Sequence, residues 1–245
     1  MYFVVKISFH SEELTNNTPS RHAIGLLELG REPYTRVQAL QNRLVDRRQR
    51  GEIGDVLILL EHKPVITLGR RADPAHILAA PDLLAHEEVE VCPSERGGDV
   101  TYHGPGQLVG YPILYLPDHH LGASDYMHRL EDVLMLALGD FGIATHRRES
   151  LIGVWVGGNK IAALGVRVRG QVTYHGFALN VSPNMDHWTL IIPCGITDGG
   201  VTSMALELGH VPPMADVRAR VAARFAELFE ATLTPVSEQA LDETS

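Results

Sequence analysis

The sequence predicts an α+β fold in which one mixed β-sheet is flanked by helices. Some stretches carry apolar residues three or four positions apart, as amphipathic helices do, whereas others are short apolar runs of strand length. The two kinds of segment do not alternate regularly, as they would in a series of βαβ units. A chain of 245 residues with 44% hydrophobic residues can bury a core without disulfide bonds. We therefore predict one domain over residues 23–232, after a polar N-terminal extension at 1–22 that we expect to be flexible, and before a C-terminal tail at 233–245.

The N-terminal half of this domain predicts a helix and a group of strands. AIGLLELG, at residues 23–30, is typical of a buried strand, and the helical pattern that follows at residues 33–51 places Val37, Leu40 and Leu44 on one face. Three further apolar runs predict strands at residues 55–62, 65–69 and 108–116.

The C-terminal half predicts a helix, a meander and a closing helix. Residues 123–142 and 212–230 both repeat apolar side chains at helical spacing. Between them, three apolar runs are separated by Gly-Asn and Arg-Gly-Gln turns, which predicts an antiparallel meander. The runs occupy residues 151–157, 160–168 and 172–181.

Composition excludes several classes of function. A net charge of -9 and an isoelectric point near 5.8 argue against bulk attraction to nucleic acid. The apolar runs are far shorter than the roughly 18 to 20 residues that span a membrane, and the N-terminus lacks the apolar stretch of a signal peptide. Two cysteines, Cys92 and Cys194, cannot form a disulfide framework. We expect a soluble, cytoplasmic protein that binds neither nucleic acid nor membranes.

The pentapeptide VTYHG occurs twice, at residues 100–104 and 172–176. The first copy lies in the glycine-rich stretch RGGDVTYHGPGQ and the second in an apolar strand, so their flanks do not align and a repeat architecture is not indicated. Glycines let a backbone approach a ligand and direct N–H groups at an oxygen atom. Because this stretch also carries several polar side chains, we interpret it as the wall of a pocket rather than an ordinary turn. It does not match the phosphate-binding pattern GxxxxGK[ST].

Cys194 and Lys160 carry the most specific chemistry. Cys194 lies between proline and glycine, which indicates a loop where a thiol is accessible, although buried cysteines are more often inert. Lys160 begins an apolar strand and is one of only three lysines among 21 basic residues. A free thiol, with a pKa of about 8.5, is only a few per cent thiolate at neutral pH, and a nearby ammonium lowers that pKa. If Lys160 lies beside Cys194, the pair forms a nucleophile; otherwise Lys160 is a strand-edge residue with its charge in solvent.

His103, His175 and Cys194 offer an alternative, because two imidazoles and a thiolate can bind zinc. Their spacing matches no compact zinc pattern, and thirteen histidines in one chain make accidental groupings common. We therefore expect no metal. We interpret His119 and His120 as exposed loop residues.

Five motifs occur in one order between about Ala23 and Leu228: RGGDVTYHGPGQ, GGNKIAALGVRV, YHGFALNV, PCGI and GVTSM. Together they resemble the octanoyl-carrier-protein:protein octanoyltransferases, also called lipoyl(octanoyl) transferases or the lipoate-protein ligase B family. The resemblance implies a fold of the biotin/lipoate protein ligase type. It also implies an enzyme, without a cofactor, that moves an octanoyl group from acyl carrier protein to a lysine of lipoyl domains. The implied acceptors are the E2 subunits of 2-oxoacid dehydrogenases and the glycine-cleavage H protein, and we expect a monomer.

Carried over residue by residue, the resemblance supplies a nucleophile and a substrate-binding wall. Cys194 falls on the residue that carries the acyl thioester, and Lys160 falls on the lysine that lowers the pKa of that thiol. Phe177 and Met204 stand where such sequences often carry leucine, and the ring of Phe177 bears on the acyl length that fits. The residues that fall on substrate-binding segments are Arg96, Gly97, Gly98, Asp99, Val100, Thr101, Tyr102, His103, Ala163, Leu164, Gly165, Gly176, Phe177 and Ala178.

Two other functions are compatible with the same residues. An ATP-dependent lipoate or biotin ligase shares the implied fold but activates its acid as an adenylate and needs no cysteine. A non-catalytic acyl-binding protein would leave Cys194 incidental. The expected protein partners are typically acidic, so a chain with net charge -9 should meet them through a local basic rim. The candidates for this rim are Arg70, Arg71, Arg147, Arg148, Arg167 and Arg169, and for each of them alone the alternative is an ordinary solvated surface residue.

Overall fold

The computed structural model describes residues 22–149, 151–193 and 199–243, which contain twelve strands and six α-helices. The strands are β1 (His22–Glu32), β2 (Asp55–His62), β3 (Val65–Leu68), β4 (Glu90–Pro93), β5 (Val100–His103), β6 (Gln107–Ile113), β7 (His146–Arg148), β8 (Leu151–Val156), β9 (Asn159–Arg169), β10 (Val172–Asn180), β11 (Gly200–Val201) and β12 (Ala231–Pro235). The helices are α1 (Tyr34–Gln49), α2 (Pro81–His86), α3 (Ala123–Gly139), α4 (Met204–Leu208), α5 (Met214–Leu228) and α6 (Glu238–Glu243). Short 3-10 turns lie at Pro74–His76, Leu116–His119 and Met185–Leu190.

Nine of the strands form one mixed sheet in the order β12-β1-β2-β6-β10-β9-β8-β7, with β11 beside β9. β12, β1 and β2 are parallel neighbours, and every pair from β2 across to β7 is antiparallel. A parallel pair needs a crossover, and α1 provides the one between β1 and β2. The predicted α+β class and the antiparallel meander, formed by β8, β9 and β10, are both confirmed.

Helices cover both faces of the main sheet because its central strands are apolar on both sides. In β2, Leu57 faces α3 and α5, where Leu134 and Phe225 belong to the same apolar cluster. The next residue, Ile58, faces the opposite way and clusters with Leu40 of α1. None of the helices in the described ranges has the length and apolar content needed to cross a bilayer.

The segment expected to be a C-terminal tail packs on the domain as far as residue 243. β12 extends the main sheet by pairing with β1, and α6 lies against α1. Leu241 of α6 is buried in the apolar cluster of α1, while Arg43 of α1 forms ion pairs with Glu238 at 3.1 Å and with Asp242 at 3.0 Å. At the other end of the chain, the described residues begin with His22, the first residue of β1.

A second, three-stranded sheet has the order β4-β3-β5 and was not predicted from the sequence. Its strands β4 and β5 have only four residues each, and β5 is the first VTYHG copy, which the sequence analysis placed in a loop. Successive side chains of a strand point to opposite faces. Val100 and Tyr102 therefore pack together in an apolar cluster that includes Trp188, and Thr101 and His103 point the other way.

His119 is buried, contrary to the exposed position that we predicted for it. Its Nε2 atom lies 2.6 Å from the carboxylate of Asp55, which also accepts a hydrogen bond from Arg48 at 2.7 Å. Burial alone would raise the pKa of Asp55, but the hydrogen bonds from His119 and Arg48 hold it below its usual value. The acceptor comes from a strand 64 residues away, so the local sequence around His119 gives no sign of it.

Three other histidines, His62, His103 and His175, are at most 5% exposed. Burial has the largest effect on the pKa of each, because a charged imidazole loses its hydration inside a protein. It lowers the pKa of His62 to about 4 and that of His175 to about 3, and the pKa of His103 falls well below its usual value. All three side chains are therefore neutral at pH 7.

These histidines predict a loss of stability on mild acidification. Below pH 6.5 the unfolded chain takes up protons at these three histidines, whereas in the folded protein their lowered pKa values keep them neutral, so the unfolded state binds more protons. From about pH 6 to pH 5, the free energy of unfolding should fall by about 1.4 kcal/mol per pH unit for each of these three. Urea unfolding across this range measures the slope. His62→Asn should make it shallower, and His120→Asn, a substitution at an exposed position, should not; an unchanged slope in the first variant would contradict the prediction.

Candidate active site

A cleft lies between the glycine-rich loop before β5 and the strands β9 and β10. Its empty volume, which includes space open to solvent, is about 460 Å³. The residues that line it are Tyr34, Arg96, Gly97, Gly98, Thr101, His103, Tyr111, Ala163, Leu164, Gly165, His175, Gly176, Phe177 and Ala178. Two of the segments singled out in the sequence, at residues 163–165 and 176–178, thus lie on one cleft.

These two segments are directly paired across β9 and β10, as Ala163 with Ala178, Leu164 with Phe177 and Gly165 with Gly176. Four of these six residues are alanine or glycine, and their small size leaves room for a ligand beside this part of the cleft wall. Glycine is also required for packing, since a Cβ atom on Gly176 would lie 2.2 Å from the carbonyl oxygen of Gly110 in β6. The second VTYHG copy therefore combines a tight strand contact with an open cleft wall.

Arg96 holds the glycine-rich loop from inside the protein. Its side chain is buried and donates from Nε to the hydroxyl of Thr67 at 3.0 Å, from Nη2 to the carbonyl of Thr67 at 2.6 Å, and from Nη1 to the carbonyl of Gly97 at 3.0 Å. On the outer side of the loop, the Asp99 carboxylate lies 2.5 Å from Nδ1 of His76. The loop backbone is thereby fastened on both sides beside the cleft.

Asp99, Val100 and Tyr102 do not line the cleft, unlike the other residues that the resemblance implied for substrate binding. Val100 and Tyr102 lie on the opposite face of β5, and the hydroxyl of Tyr102 is 2.7 Å from Nδ1 of His187. Burial raises the pKa of Tyr102 to about 12, so its hydroxyl stays protonated. A continuous run of eight residues that includes a strand cannot direct every side chain at one pocket.

A chain of buried hydrogen bonds connects β5 to β9. Gln107 donates through Nε2 to Asn180 at 2.9 Å, so its Oε1 is the acceptor for Nδ1 of His103 at 2.7 Å, and that nitrogen carries a proton. Asn180 donates to the carbonyl of Thr202 at 3.0 Å, and the backbone N–H of Thr202 donates to the carbonyl of Lys160 at 3.0 Å. A continuous chain of hydrogen bonds therefore links the cleft wall to the strand that carries Lys160.

Lys160 lines a second cavity that adjoins the cleft. This cavity has an empty volume of about 430 Å³ and shares Thr101, Ala163 and Ala178 with the cleft. The Nζ atom of Lys160 lies 4.9 Å from the centroid of the Trp155 ring, a distance at which an ammonium is attracted by the ring face. The remaining residues around this cavity are Asn180, Trp188, Pro193, Gly199, Gly200 and Val201.

Cys194 lies outside the described residues, as do the four residues after it. The residues on either side of this gap, Pro193 and Gly199, both line the cavity of Lys160. After the gap, β11 pairs with the start of β9, where Val201 lies opposite Lys160. The described ends of the PCGI motif and of the GVTSM motif thus meet at the cavity that contains Lys160.

An open groove leads from the surface to Lys160. Its empty volume is about 1100 Å³, and it contains Gly97, Gly98 and residues 163–165 in common with the cleft. The exposed side chains of Arg71 and Ile152 lie on this groove, which also includes Asp99. Lys160 therefore lines both this open groove and the second cavity.

Several residues that shape the two cavities were missed in the sequence. Tyr34 lies at the start of α1 and Tyr111 within β6, where each resembles an ordinary core residue. Trp155 and Trp188 carry no motif. Only Asn180 gave a usable signal, because an amide at the end of an apolar run needs a buried partner.

Metal binding has no geometric support in the described part of the chain. There, no three or more side chains of the types His, Cys, Asp and Glu come close enough together to hold an ion. The zinc alternative also involved Cys194, which lies outside these residues. Cys92, the other cysteine, is buried in β4, and burial raises the pKa of its thiol.

Comparison with known proteins relates the chain to one family. A family model described as the lipoyl protein ligase A/B catalytic domain matches residues 33–226. A protein named Octanoyltransferase from Koribacter versatilis is 49% identical over 212 residues, which cover 84% of this chain and 84% of the relative. A protein of the same name from Chloroflexus aggregans is also 49% identical over 212 residues, covering 85% of this chain and 95% of the relative.

Solved structures share the fold at low sequence identity. Lipoate-protein ligase A bound with ATP has a TM-score of 0.70 at 14% identity and covers 91% of this chain and 92% of its own. A bi-partite lipoate protein ligase from Thermoplasma acidophilum has a TM-score of 0.68 at 15% identity and covers 90% of each chain. This likeness confirms the ligase-type fold. Because the family model spans most of the chain and relatives are nearly half identical to it, the chain belongs to the lipoyl protein ligase A/B catalytic family and is an acyltransferase of the octanoyltransferase group.

Proposed function

We propose that the protein transfers an octanoyl group from acyl carrier protein to a specific lysine of lipoyl domains, through a thioester on Cys194. The proposed acceptors are the E2 subunits of 2-oxoacid dehydrogenases and the glycine-cleavage H protein, and the proposed compartment is the cytoplasm. The observation that carries the proposal is the cavity shared by Lys160 and Pro193. Pro193 is bonded directly to Cys194, and the cavity shares Thr101, Ala163 and Ala178 with the cleft. The names of the two relatives at 49% identity support the same acyl group.

In this proposal the ammonium of Lys160 activates the thiol of Cys194. Only a few per cent of a free thiol with a pKa of about 8.5 is ionised at neutral pH. A cation about 4 Å away would stabilise the thiolate by roughly 4 kcal/mol at an effective dielectric constant near 20, before desolvation is subtracted. Half of that amount would lower the pKa of the thiol by more than one unit. Lys160 would therefore raise the thiolate fraction severalfold.

The proposed reaction consists of two acyl transfers. The Cys194 thiolate attacks the carrier thioester, the bond to the carrier sulfur breaks, and that sulfur leaves with a proton from Lys160. The amine of the acceptor lysine then attacks the enzyme thioester, passes a proton to Lys160, and releases Cys194 as a thiolate. Exchange between thioesters is nearly balanced in free energy and formation of an amide is downhill, so the cycle consumes no nucleotide.

An ATP-dependent ligase is the second candidate, because lipoate-protein ligase A bound with ATP shares this fold. The two functions differ in the acyl donor. Free octanoate with ATP would support lipoyl-domain modification by a ligase, whereas a transferase would use octanoyl carrier protein and ignore ATP. Measuring acceptor mass with each donor decides between them.

The proposed mechanism predicts a covalent intermediate. Incubation with octanoyl carrier protein and no acceptor should add one octanoyl group to the peptide that contains Cys194, as measured by mass spectrometry after digestion. Cys194→Ser should abolish both this adduct and turnover. Cys92→Ser is the matched control, since that thiol is buried in β4 and away from both cavities. Absence of an adduct on Cys194 in the unaltered protein would count against the mechanism.

The second prediction concerns the acyl chain. Ala163 borders the cleft, the cavity of Lys160 and the open groove, so a larger side chain there should obstruct the path between them. Each buried methylene contributes about 0.8 kcal/mol, and Ala163→Leu should lower kcat/KM for octanoyl carrier protein by about tenfold or more. The kcat/KM for butanoyl carrier protein, which has a shorter acyl chain, should fall much less. Equal losses for both chain lengths would show that Ala163 does not border the bound chain.

The arginines proposed for partner docking differ in their structural roles. Arg147 is tied by its Nε to buried Glu131 and by its Nη2 to Asp132, each at 2.7 Å, so it serves the fold. Three more form contacts within the domain: Arg148 lies over the Trp155 ring, Arg167 donates to the Glu95 carbonyl, and Arg169 pairs with Asp46. Arg70 and Arg71 have exposed side chains, and Arg71 borders the open groove to Lys160.

We therefore predict that Arg71 contributes to binding of the acidic carrier protein. Exposed charge pairs contribute about 0.2–1 kcal/mol, so Arg71→Glu should raise the KM for octanoyl carrier protein by up to about fivefold at low salt. The effect should diminish in high salt, because screening weakens exposed pairs. Lys63→Glu makes the same charge change at another exposed position and should leave the KM unchanged. An unaltered KM for Arg71→Glu would exclude this arginine from the docking surface.

A further inference from the structure

A buried carboxylate lies in the apolar face of α3, close to the strand pair that carries Lys160. Glu131 is 2% exposed, and each of its two oxygen atoms accepts hydrogen bonds. Oε1 accepts from the backbone N–H of Gly153 in β8 at 3.0 Å, while Oε2 accepts from Nε of Arg147 at 2.7 Å and from Nδ1 of His128 at 3.0 Å. A charge in such a position costs free energy unless it is fully paired. Glu131 therefore joins helix α3 to the hairpin of β7 and β8 through defined contacts.

Gly153, the backbone partner of this carboxylate, directly contacts the side chain of Lys160. It has a φ of +141°, a conformation that L-residues rarely adopt. A Cβ atom at this position would lie 3.0 Å from Cε of Lys160 and 3.3 Å from its Cδ. The aliphatic part of the Lys160 side chain thus packs against the backbone of Gly153, which has no side chain. The position of that backbone therefore determines the position of the lysine side chain.

The pairing of β8 with β9 also directs Lys160. Val154 is opposite Ala162 and Trp155 is opposite Lys160, so Ile161 is an additional residue in β9. A bulge of this kind changes the direction of neighbouring side chains. Here it coincides with the ammonium lying 4.9 Å from the centroid of the Trp155 ring, at the cavity.

We propose that Glu131 is a positioning residue for Lys160: by holding the N–H of Gly153 and fastening Arg147, it fixes the segment of β8 on which the lysine side chain lies, opposite the bulge in β9. The catalytic meaning of this inference rests on the function proposed above, but the position of Lys160 is measurable without it. Glu131 lines neither cavity, and its link to the lysine side chain runs through the backbone of Gly153.

Glu131→Gln separates this role from a general contribution of negative charge. Gly153 and Arg147 donate to different oxygens of the Glu131 carboxylate. In the amide one of these two positions becomes an NH2 group, so in the same side-chain position a donor must face one of the two donors. Asp132→Asn is the matched control. Asp132 is the next residue of α3, it also pairs with Arg147 at 2.7 Å, and it makes no bond to Gly153 in the described structure.

The presence of only three lysines makes Lys160 directly observable by NMR. In protein labelled with ¹³C at the lysine Cε, three methylene signals are expected, and the signal missing in Lys160→Arg identifies Lys160. Its protons should be shifted upfield because they lie near the face of the Trp155 ring. Glu131→Gln should remove most of this displacement, and Asp132→Asn should retain it. An unchanged Lys160 signal in folded Glu131→Gln, or an equal change in both variants, would overturn the proposal.

Gly153→Ala provides a second test that does not depend on the folding of Glu131→Gln. It leaves the carboxylate in place but adds a methyl group where the lysine lies, and it should move the Lys160 signal away from its upfield position. An unchanged signal in folded Gly153→Ala would contradict the link between Gly153 and Lys160, and with it the proposal.

A chemical readout connects this position to the proposed mechanism. The rate at which Cys194 is alkylated by iodoacetamide, measured against pH, reports the pKa of its thiol; Lys160→Ala should raise that pKa. A rise of one unit lowers the thiolate fraction about tenfold at pH values well below the pKa. If Lys160→Ala does not change the pKa of the Cys194 thiol, the proposed pairing of Lys160 with Cys194 is wrong. The NMR experiment then still tests the positioning role of Glu131. If Lys160→Ala shifts the profile and Glu131→Gln does not, the positioning role fails and the proposed function stands.

Discussion

The site depends on a change of partner along one edge of β9. From Ala162 to Arg169 this edge pairs with antiparallel β10, and at Asn159 and Lys160 it pairs with parallel β11. A chain that leaves β10 in one direction and returns as β11 in the other must make an excursion between them. That excursion contributes Trp188 and Pro193 to the cavity of Lys160. This constraint of topology thus brings Pro193, the first residue of the PCGI motif, to the cavity of Lys160.

A buried pair of side-chain amides fixes the spacing of the strands around this site. Polar groups inside a protein lose their hydration, and each one left without a partner costs about 1–3 kcal/mol. Gln107 and Asn180 avoid that cost by bonding to one another and by using their remaining groups on His103 and on the carbonyl of Thr202. Because Thr202 in turn bonds to the backbone of Lys160, replacing either amide with an apolar residue would leave donors or acceptors unpaired on both sides. The network specifies the distance between β5 and β9 more strictly than apolar packing would.

Local pattern was sufficient for most elements of the main sheet, and composition drew attention to Lys160. β2 and the β8–β10 meander are apolar runs bounded by turns, and each was predicted close to its observed limits. Lys160 was recognisable because lysine is rare in this chain. These are properties of a few consecutive residues, or of composition, and they require no knowledge of what lies across the fold.

The features that the sequence did not reveal depend on distant partners. His119 is buried because Asp55 accepts its hydrogen bond, and β5 is a strand because β3 pairs with it. Arg147 was proposed for docking, and its bond to the carboxylate of Glu131, 16 residues away, was not foreseen. In each case the contact joins residues that are distant in the chain, so it has no local sequence pattern.

The cleft and the cavity of Lys160 differ in charge in a way that suits a thioester with a long apolar chain. Tyr34, Tyr111, His103 and His175 line the cleft, and burial raises the pKa of both phenols and lowers the pKa of both imidazoles. Around neutral pH all four rings are uncharged, so they offer faces for dispersion contacts. The charged guanidinium that also lines the cleft, that of Arg96, is taken up by hydrogen bonds to Thr67 and Gly97. The ammonium of Lys160 lies on the adjoining cavity. Ala163 and Ala178 border both spaces, so in the proposed function they lie where the acyl chain would pass from the ammonium to the uncharged rings.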